Sequence, residues 1–327
     1  MFKDIIFIYS IGNTYKEEGK NVEVELRQLL YAVTIAEEKS FSKAAEKLHL
    51  AQPSLSQQIA KLEKELDVIL FERSTSSVRL TDAGARFFTS ALNILDGVEQ
   101  LRKEMQDVAA LTKGGLTLGS LPMTGAHILP LLLPEFAKRY PGIDVRLVEE
   151  ATRSLEQLTA RGTAEMSLLT LPVQDANLEW EELLDEEICL AVPPAHKLAG
   201  RREVKMRELD EEPFIMLKKG QGFRQVVERW CMEAGFAPQI VFESSNIETV
   251  QSLVAAGMGA AFVPRLLAHK YPRNHTGPAY VRLTEPRPYR TLVLAFRRGR
   301  YRSRAAQAFL DTARDVLQAV RMEEVDE

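Results

Sequence analysis

Cysteine is nearly absent: Cys189 and Cys231 are the only thiols in 327 residues. Two are too few for a disulfide framework and fit a reducing, cytoplasmic setting. Each sits in an apolar pattern, where buried, inert thiols are the norm, so a redox pair is not expected. Long hydrophobic runs are missing too; none approaches the roughly 20 apolar residues that span a bilayer, which argues against membrane insertion. Basic charge is not in excess, and a net charge of −4 with a pI near 5.9 argues against a non-specific polyanion binder. The five histidines (His49, His127, His196, His269 and His275) show no clustered ligand spacing, and Gly257-Met258-Gly259 is a lone G-x-G best read as a tight turn. With no nucleophile–base pair, metal set or phosphate loop, no enzyme, cofactor or metal is expected. What is present is 45% hydrophobic content in a chain long enough for two or three folding units.

The most informative stretch runs from Phe41 to Leu66. Ala44, Ala45 and Leu48 share one face of a short helix, and Leu55, Ile59, Leu62 and Leu66 recur at the four-three-four spacing of a second. A preceding helix, with Leu26, Leu29, Leu30 and Val33 at i, i+3, i+4 and i+7, supplies the third wall of a small core. The opposite face of the second helix carries Ser54, Gln57, Gln58 and Lys61 at the same spacing, with Ser56 beside them. Short polar side chains near a helix N-terminus suit a phosphate, and a glutamine amide can bond an adenine edge bidentately. That suits a recognition helix in a major groove; spacing alone fits a helical hairpin with a solvated face equally well. Ile69–Arg73 and Val78–Thr81 then read as two short strands around the polar turn Ser74–Ser77, forming a wing.

From Leu26 to Gly84 the chain resembles the winged helix-turn-helix of the LysR-type transcriptional regulators. The resemblance rests on E-L-R-Q-L, S-F-S-K-A-A-E-K-L-H-L-A-Q-P-S-L-S-Q-Q-I and L-F-E-R followed by V-R-L-T-D-A-G. It implies that Gln52, Pro53, Ser54, Ser56 and Gln57 meet the groove, alongside Lys61 on the same face, with Arg73 near the DNA backbone beside the wing. This sequence departs from the family where Gln57 and Ser76 stand in place of commonly basic residues, so a shallower salt dependence is expected. A further departure is Ala51, where the family often has a serine N-cap; this removes about 1 kcal/mol unless the Gln52 side chain substitutes. Charge alone would not have revealed the module, because from Val22 to Thr81 nine acidic residues outnumber eight basic ones.

Residues 1–21 do not resemble the family. Lys16-Glu17-Glu18-Gly19 is the kind of peptide a purine-rich ribosome-binding sequence would encode, so the segment is expected to be a translated upstream region with a start near Val22. Residues 22–81 are the expected DNA-binding domain and 82–113 a linker helix. Thr81-Asp82 offers a cap and an acid at a helix start, and an uninterrupted helix to Leu111 would be roughly 45 Å long. Phe88, Ala91, Leu95, Val98, Leu101, Met105, Val108 and Leu111 form an apolar stripe along it, which a second copy of the chain would cover. Lys113-Gly114-Gly115 reads as a hinge.

Residues 114–327 alternate strands and helices, an α/β pattern with a largely parallel sheet in two lobes, the chain crossing between them near 185–190 and 264–290. This half resembles the effector-binding region of the same regulators, similar in turn to two-lobed periplasmic binding proteins, in L-T-L-G-S, I-L-P-L-L-L-P-E-F-A-K-R-Y-P-G-I-D-V and V-A-A-G-M-G-A-A-F-V-P. It departs from the family at Glu165, where aspartate is usual. Ligands of such sheets sit beyond strand carboxyl ends near helix N-termini. That selects Ser120, Thr124, Thr152 and Arg153, then Gly222, Phe223 and Arg224, and Arg265, a set suited to a small anion, in particular a carboxylate. The arginine-rich run Arg297, Arg298, Arg300, Arg302 and Arg304 reads as a solvated helix start.

The expectation is a DNA-binding transcriptional regulator whose oligomer geometry is switched by a ligand between two α/β lobes. Its partners would be double-stranded promoter DNA, a small-molecule effector, further copies of itself as homodimer or homotetramer, and RNA polymerase. A solute-binding or enzymatic α/β protein with an accessory helix-turn-helix is the alternative, but it leaves Ser54 to Lys61 unexplained.

Overall fold

The computed structural model describes residues 16–17, 20–21, 24–73, 78–109, 114–268 and 277–325. Most of the N-terminal extension, the wing turn with Ser76, the stripe residue Leu111, the hinge residue Lys113, and His269 and His275 lie outside them. In the extension, β1 (Lys16–Glu17) and β2 (Lys20–Asn21) pair antiparallel. The chain divides into two compact units, Met1–Met105 and Gln106–Glu327.

The first unit contains α1 (Leu26–Glu38), α2 (Phe41–Lys47), α3 (Gln52–Leu66), the wing strands β3 (Phe71–Arg73) and β4 (Val78–Leu80), and α4 (Asp82–Ala109). Ala44, Ala45, Leu55, Ile59 and Leu62 are fully buried with Ile35, Phe41 and Phe71, the faces expected from their spacing. Glu63 of α3 accepts from Leu70 N at 2.8 Å and Phe71 N at 3.1 Å, which fixes the wing to the helix. Thr81 caps α4, its Oγ1 accepting from Gly84 N at 2.9 Å. A β-carbon on Gly84 would stand 2.1 Å from Leu70 O, so only glycine lets α4 approach the wing this closely. The start of α4 packs Ala91, with Phe87, Phe88, Leu92 and Leu95 around it, on Leu29 and Val33 of α1. Beyond this contact Ile94, Val98, Leu101 and Met105 are exposed.

The second unit has two lobes. Lobe I holds β5 (Gly114–Ser120), α5 (Pro122–Arg139), β6 (Ile143–Glu149), α6 (Thr152–Ala160), β7 (Met166–Thr170) and β14 (Tyr289–Arg297), with α9 (Arg304–Val325). Lobe II holds β9 (Glu203–Lys205), β10 (Pro213–Leu217), α7 (Gly222–Glu233), β11 (Gln239–Ser244), α8 (Ile247–Ala255), β12 (Ala261–Pro264) and β13 (Ala279–Thr284). One strand, β8 (Leu178–Val192), serves both: Leu178 to Glu187 pair with β14, and Ile188 to Val192 pair with β12 and β13.

The sheet is mixed rather than largely parallel. β5 runs parallel to β6 and β7, β10 to β11, and β13 to β9. Every pairing that involves β8 or β14 is antiparallel, because these strands carry the chain between lobes instead of closing a βαβ unit. Each lobe has its own core, around Leu118, Phe136, Leu294 and Phe309 in lobe I and around Phe214, Val227, Phe262 and Val263 in lobe II.

Candidate functional site

In the first unit α3 presents Gln52, Pro53, Ser54 and Gln57 exposed, with Ser56 half-buried beside them. Its N-cap Ala51 provides no side-chain cap. Gln52 does not replace it, since its Nε2 donates to Ser56 Oγ at 3.0 Å. By contrast, α2 is capped by Ser40, whose Oγ accepts from Lys43 N at 3.3 Å. The first turn of α3 therefore keeps outward-facing N–H groups beside short polar side chains, as anion binding at a helix start requires. Lys61 lies on the same helix, 3.5 Å from Glu65 and 4.0 Å from Glu25. Arg73 is the last residue of β3.

In the second unit three further helices begin without a side-chain cap: α5 after Leu121, α6 after Ala151 and α7 after Gln221. Here too a capped helix gives the contrast, for Asn246 at the start of α8 accepts from Glu248 N and Thr249 N at 2.7 and 3.2 Å. The uncapped starts gather between the lobes. Thr152 Oγ1, on α6, lies 3.1 Å from where a β-carbon of Gly222, on α7, would stand. That hydroxyl is buried and makes no hydrogen bond. Thr124, in the first turn of α5, is fully buried and accepts from Arg290 Nη1 at 3.1 Å. Ser120 ends β5 fully buried, donating only to the adjacent Leu121 carbonyl at 3.3 Å.

Arg290 is the residue at this site that sequence reasoning missed, together with Glu186. The two face each other across β14 and β8, each side chain 1% exposed, with Arg290 Nε 2.7 Å and Nη2 2.6 Å from Glu186 Oε2. Glu186 Oε1 accepts from Leu266 N at 3.0 Å, and the guanidinium carbon lies 5.5 Å from the Phe223 ring. One buried ion pair thus ties α5 of lobe I to α7 and the turn after β12 in lobe II. No local motif marks it, because 104 residues separate the partners.

Two of the expected effector-site arginines already have carboxylate partners within the chain. Arg224 is buried, its Nε on Glu228 at 2.6 Å and its Nη1 on the Leu217 carbonyl at 2.6 Å and on Glu243 at 3.0 Å. These contacts brace α7 against β10 and β11, while its Nη2 is buried without a hydrogen-bond partner. Arg265 pairs with Glu187 at 3.4 Å, and Glu187 leaves β8 on the face opposite Glu186. Arg153 is exposed on the first turn of α6, and Phe223 is buried beside Arg290.

Both thiols sit in surroundings that disfavour the thiolate. Burial pushes Cys189 and Cys231 each up to about 12. Among the described residues no group of histidine, cysteine or carboxylate side chains is arranged to hold a metal ion, and no helix is long and apolar enough to cross a membrane.

Two family models match the chain: the bacterial regulatory helix-turn-helix of the lysR family over residues 26–85, and the LysR substrate binding domain over 109–318. An uncharacterized HTH-type transcriptional regulator of Bacillus subtilis, YcgK, is 41% identical over 313 residues, covering 90% of this chain and 95% of that protein. A hydrogen peroxide-inducible genes activator of Pectobacterium carotovorum is 32% identical, covering 90% and 97%. Among solved structures, a full-length OxyR variant from Pseudomonas aeruginosa superposes with a TM-score of 0.73 at 30% identity, covering 89% of this chain and 95% of that one.

Proposed function

The chain belongs to the LysR family of DNA-binding transcriptional regulators, and we propose that it reads promoter DNA through α3 under the control of a small anion held between its two lobes. The observation that carries the anion is the convergence of three uncapped helix starts, α5, α6 and α7, on one buried patch of hydroxyls. Unpaired N–H groups and the positive ends of helix dipoles favour negative charge there. The Arg290–Glu186 pair adds no net charge, so the helix ends supply the attraction and a carboxylate is the expected ligand group. The residues in contact would be Ser120, Thr124, Thr152 and the backbone of Gly222 and Phe223.

On the DNA side, Gln52, Pro53, Ser54, Ser56 and Gln57 meet the groove and Arg73 lies by the backbone. The exposed stripe Ile94, Val98, Leu101 and Met105 on α4 is covered by a second copy of the chain, giving a homo-oligomer with two or more recognition helices. Ligand binding shifts the lobes and with them the spacing of those helices, by population shift and not by catalysis. RNA polymerase is the partner through which a change at the promoter would act.

Peroxide, named for some relatives, is a poor fit as the signal. Thiolate is the form that reacts with it, and burial raises both thiols of this chain, which disfavours that form.

Footprinting of the purified protein on DNA flanking its own gene, with and without small carboxylates, tests the proposal. Protection is expected over a pseudo-palindrome, with its extent altered by the effector. Unchanged protection after replacing Ser54, Ser56 and Gln57 by alanine would count against α3 as the reader.

A further inference from the structure

A cluster of charge outside the cleft lies behind it, on the other face of β8. Three guanidiniums converge on the single carboxylate of Glu187: Arg265 at 3.4 Å, Arg282 at 3.4 Å and Arg287 at 3.0 Å. They come from three separate segments, the turn after β12, strand β13 and the β13–β14 connection. Among the described residues Glu187 is the one carboxylate within 4 Å of them, with Glu203 of β9 the cross-strand neighbour of Arg282, so positive charge is in excess here. Close by in the chain, Glu285 is shared by Lys205 at 2.8 Å and Arg207 at 3.5 Å, so the neighbouring carboxylate does not relieve the excess. The chain as a whole carries −4, which makes this a local feature and not a general one.

Side-chain exposure runs from 27% at Glu187 to 55% at Arg287, so the cluster is open to solutes. Its contacts are also loose. At 3.4 Å the Arg265 and Arg282 forks are not engaged in the short, paired geometry that a guanidinium makes with an oxyanion. Guanidiniums held around one carboxylate repel one another, and an added anion relieves that repulsion.

We propose that Arg265, Arg282 and Arg287 form a second anion site, separate from the interlobe cleft, for a small polyanion of the phosphate or pyrophosphate type. Guanidinium forks match phosphate oxygens bidentately. A phosphate group offers several oxygens to forks that come from three segments, which a monocarboxylate cannot engage together. The site stands back to back with the Glu186–Arg290 pair, one residue along β8, so its occupancy bears directly on the strand that links the lobes. The proposal does not depend on the ligand of the cleft.

The test is titration calorimetry of the full chain with pyrophosphate at an ionic strength fixed by sodium chloride. Specific binding is expected, weakened at least about tenfold by Arg282→Gln with Arg287→Gln. Thr152→Val, in the cleft, keeps the original affinity. The double lysine variant, Arg282→Lys with Arg287→Lys, preserves charge and removes the forks, and it too is expected to bind more weakly. Equal binding by the glutamine or the lysine variant, loss in Thr152→Val, or no binding beyond that of chloride would each overturn the assignment.

Discussion

The recognition-type face of α3 and the cleft between the lobes both use uncapped helix starts and short hydroxyl side chains, yet they keep them in opposite environments. Gln52, Ser54 and Gln57 are exposed, so water satisfies them whenever DNA is absent. Ser120, Thr124, Glu186 and Arg290 are buried, and the Thr152 hydroxyl is buried without a partner. A hydrated face costs the fold nothing, whereas a buried unsatisfied hydroxyl costs about 1–3 kcal/mol. Stability and function should therefore separate cleanly on α3 and be coupled in the cleft.

The largest expected effect tests the coupled side. Arg290→Met leaves Glu186 charged and unpaired in the interior, and the second unit should lose about 3–5 kcal/mol in chemical denaturation. Replacing both partners, Arg290→Met with Glu186→Leu, should recover most of that loss, because the penalty belongs to the stranded charge. A double variant as unstable as the single one would show that the pair itself, and not its neutralisation, holds the lobes.

Next in size is the uncoupled side. If Ser54 and Gln57 meet DNA as proposed, Ser54→Ala with Gln57→Ala should cost about 1–3 kcal/mol, an affinity for the promoter lowered about 5- to 150-fold by fluorescence anisotropy. The unfolding midpoint should stay where it was. A matching drop in stability would mean that these side chains support the helix and the comparison fails.

Thr152→Val joins the two sides in one variant. Valine keeps the shape and removes the unpartnered hydroxyl, so stability should rise by about 1 kcal/mol. The response of the DNA footprint to its effector should weaken at the same time, which is the signature of a group kept for binding at the expense of the fold. A variant that gains stability and responds as before would take Thr152 out of the site.

How much of this was legible in the sequence follows from where the partners sit in the chain. Leu55, Ile59 and Leu62 announce α3 because helical neighbours are three and four residues apart, and its polar face is legible by the same arithmetic. The rule that ligands gather at strand ends near helix starts selects Ser120, Thr124 and Thr152, and the fold brings Thr124 beside Arg290 and Thr152 beside Gly222. Arg290 and Glu186 were not, since only the pairing of β14 with β8 makes them neighbours. The same blindness hid the surroundings of Arg224: its place in the first turn of a helix was visible, but Glu228 and Glu243 around it were not. The mixed sheet escaped for a related reason, because direction is set by how β8 and β14 cross between lobes and not by the composition of either strand.

The smallest effect probes why α3 lacks a cap when α2 has one. Ala51 has φ −71° and ψ 131°, the extended conformation of an N-cap residue, so serine fits there without strain. Ala51→Ser should stabilise the first unit by about 0.5–1 kcal/mol in thermal unfolding. It adds no charge, so the slope of DNA affinity against salt concentration should not change. If the uncapped start of α3 is there to meet a phosphate, the added hydroxyl competes for the same N–H groups, and affinity should fall while stability rises. A serine that raises both would mean that the open helix start is an accident of this sequence, and that α3 reads DNA through its side chains alone.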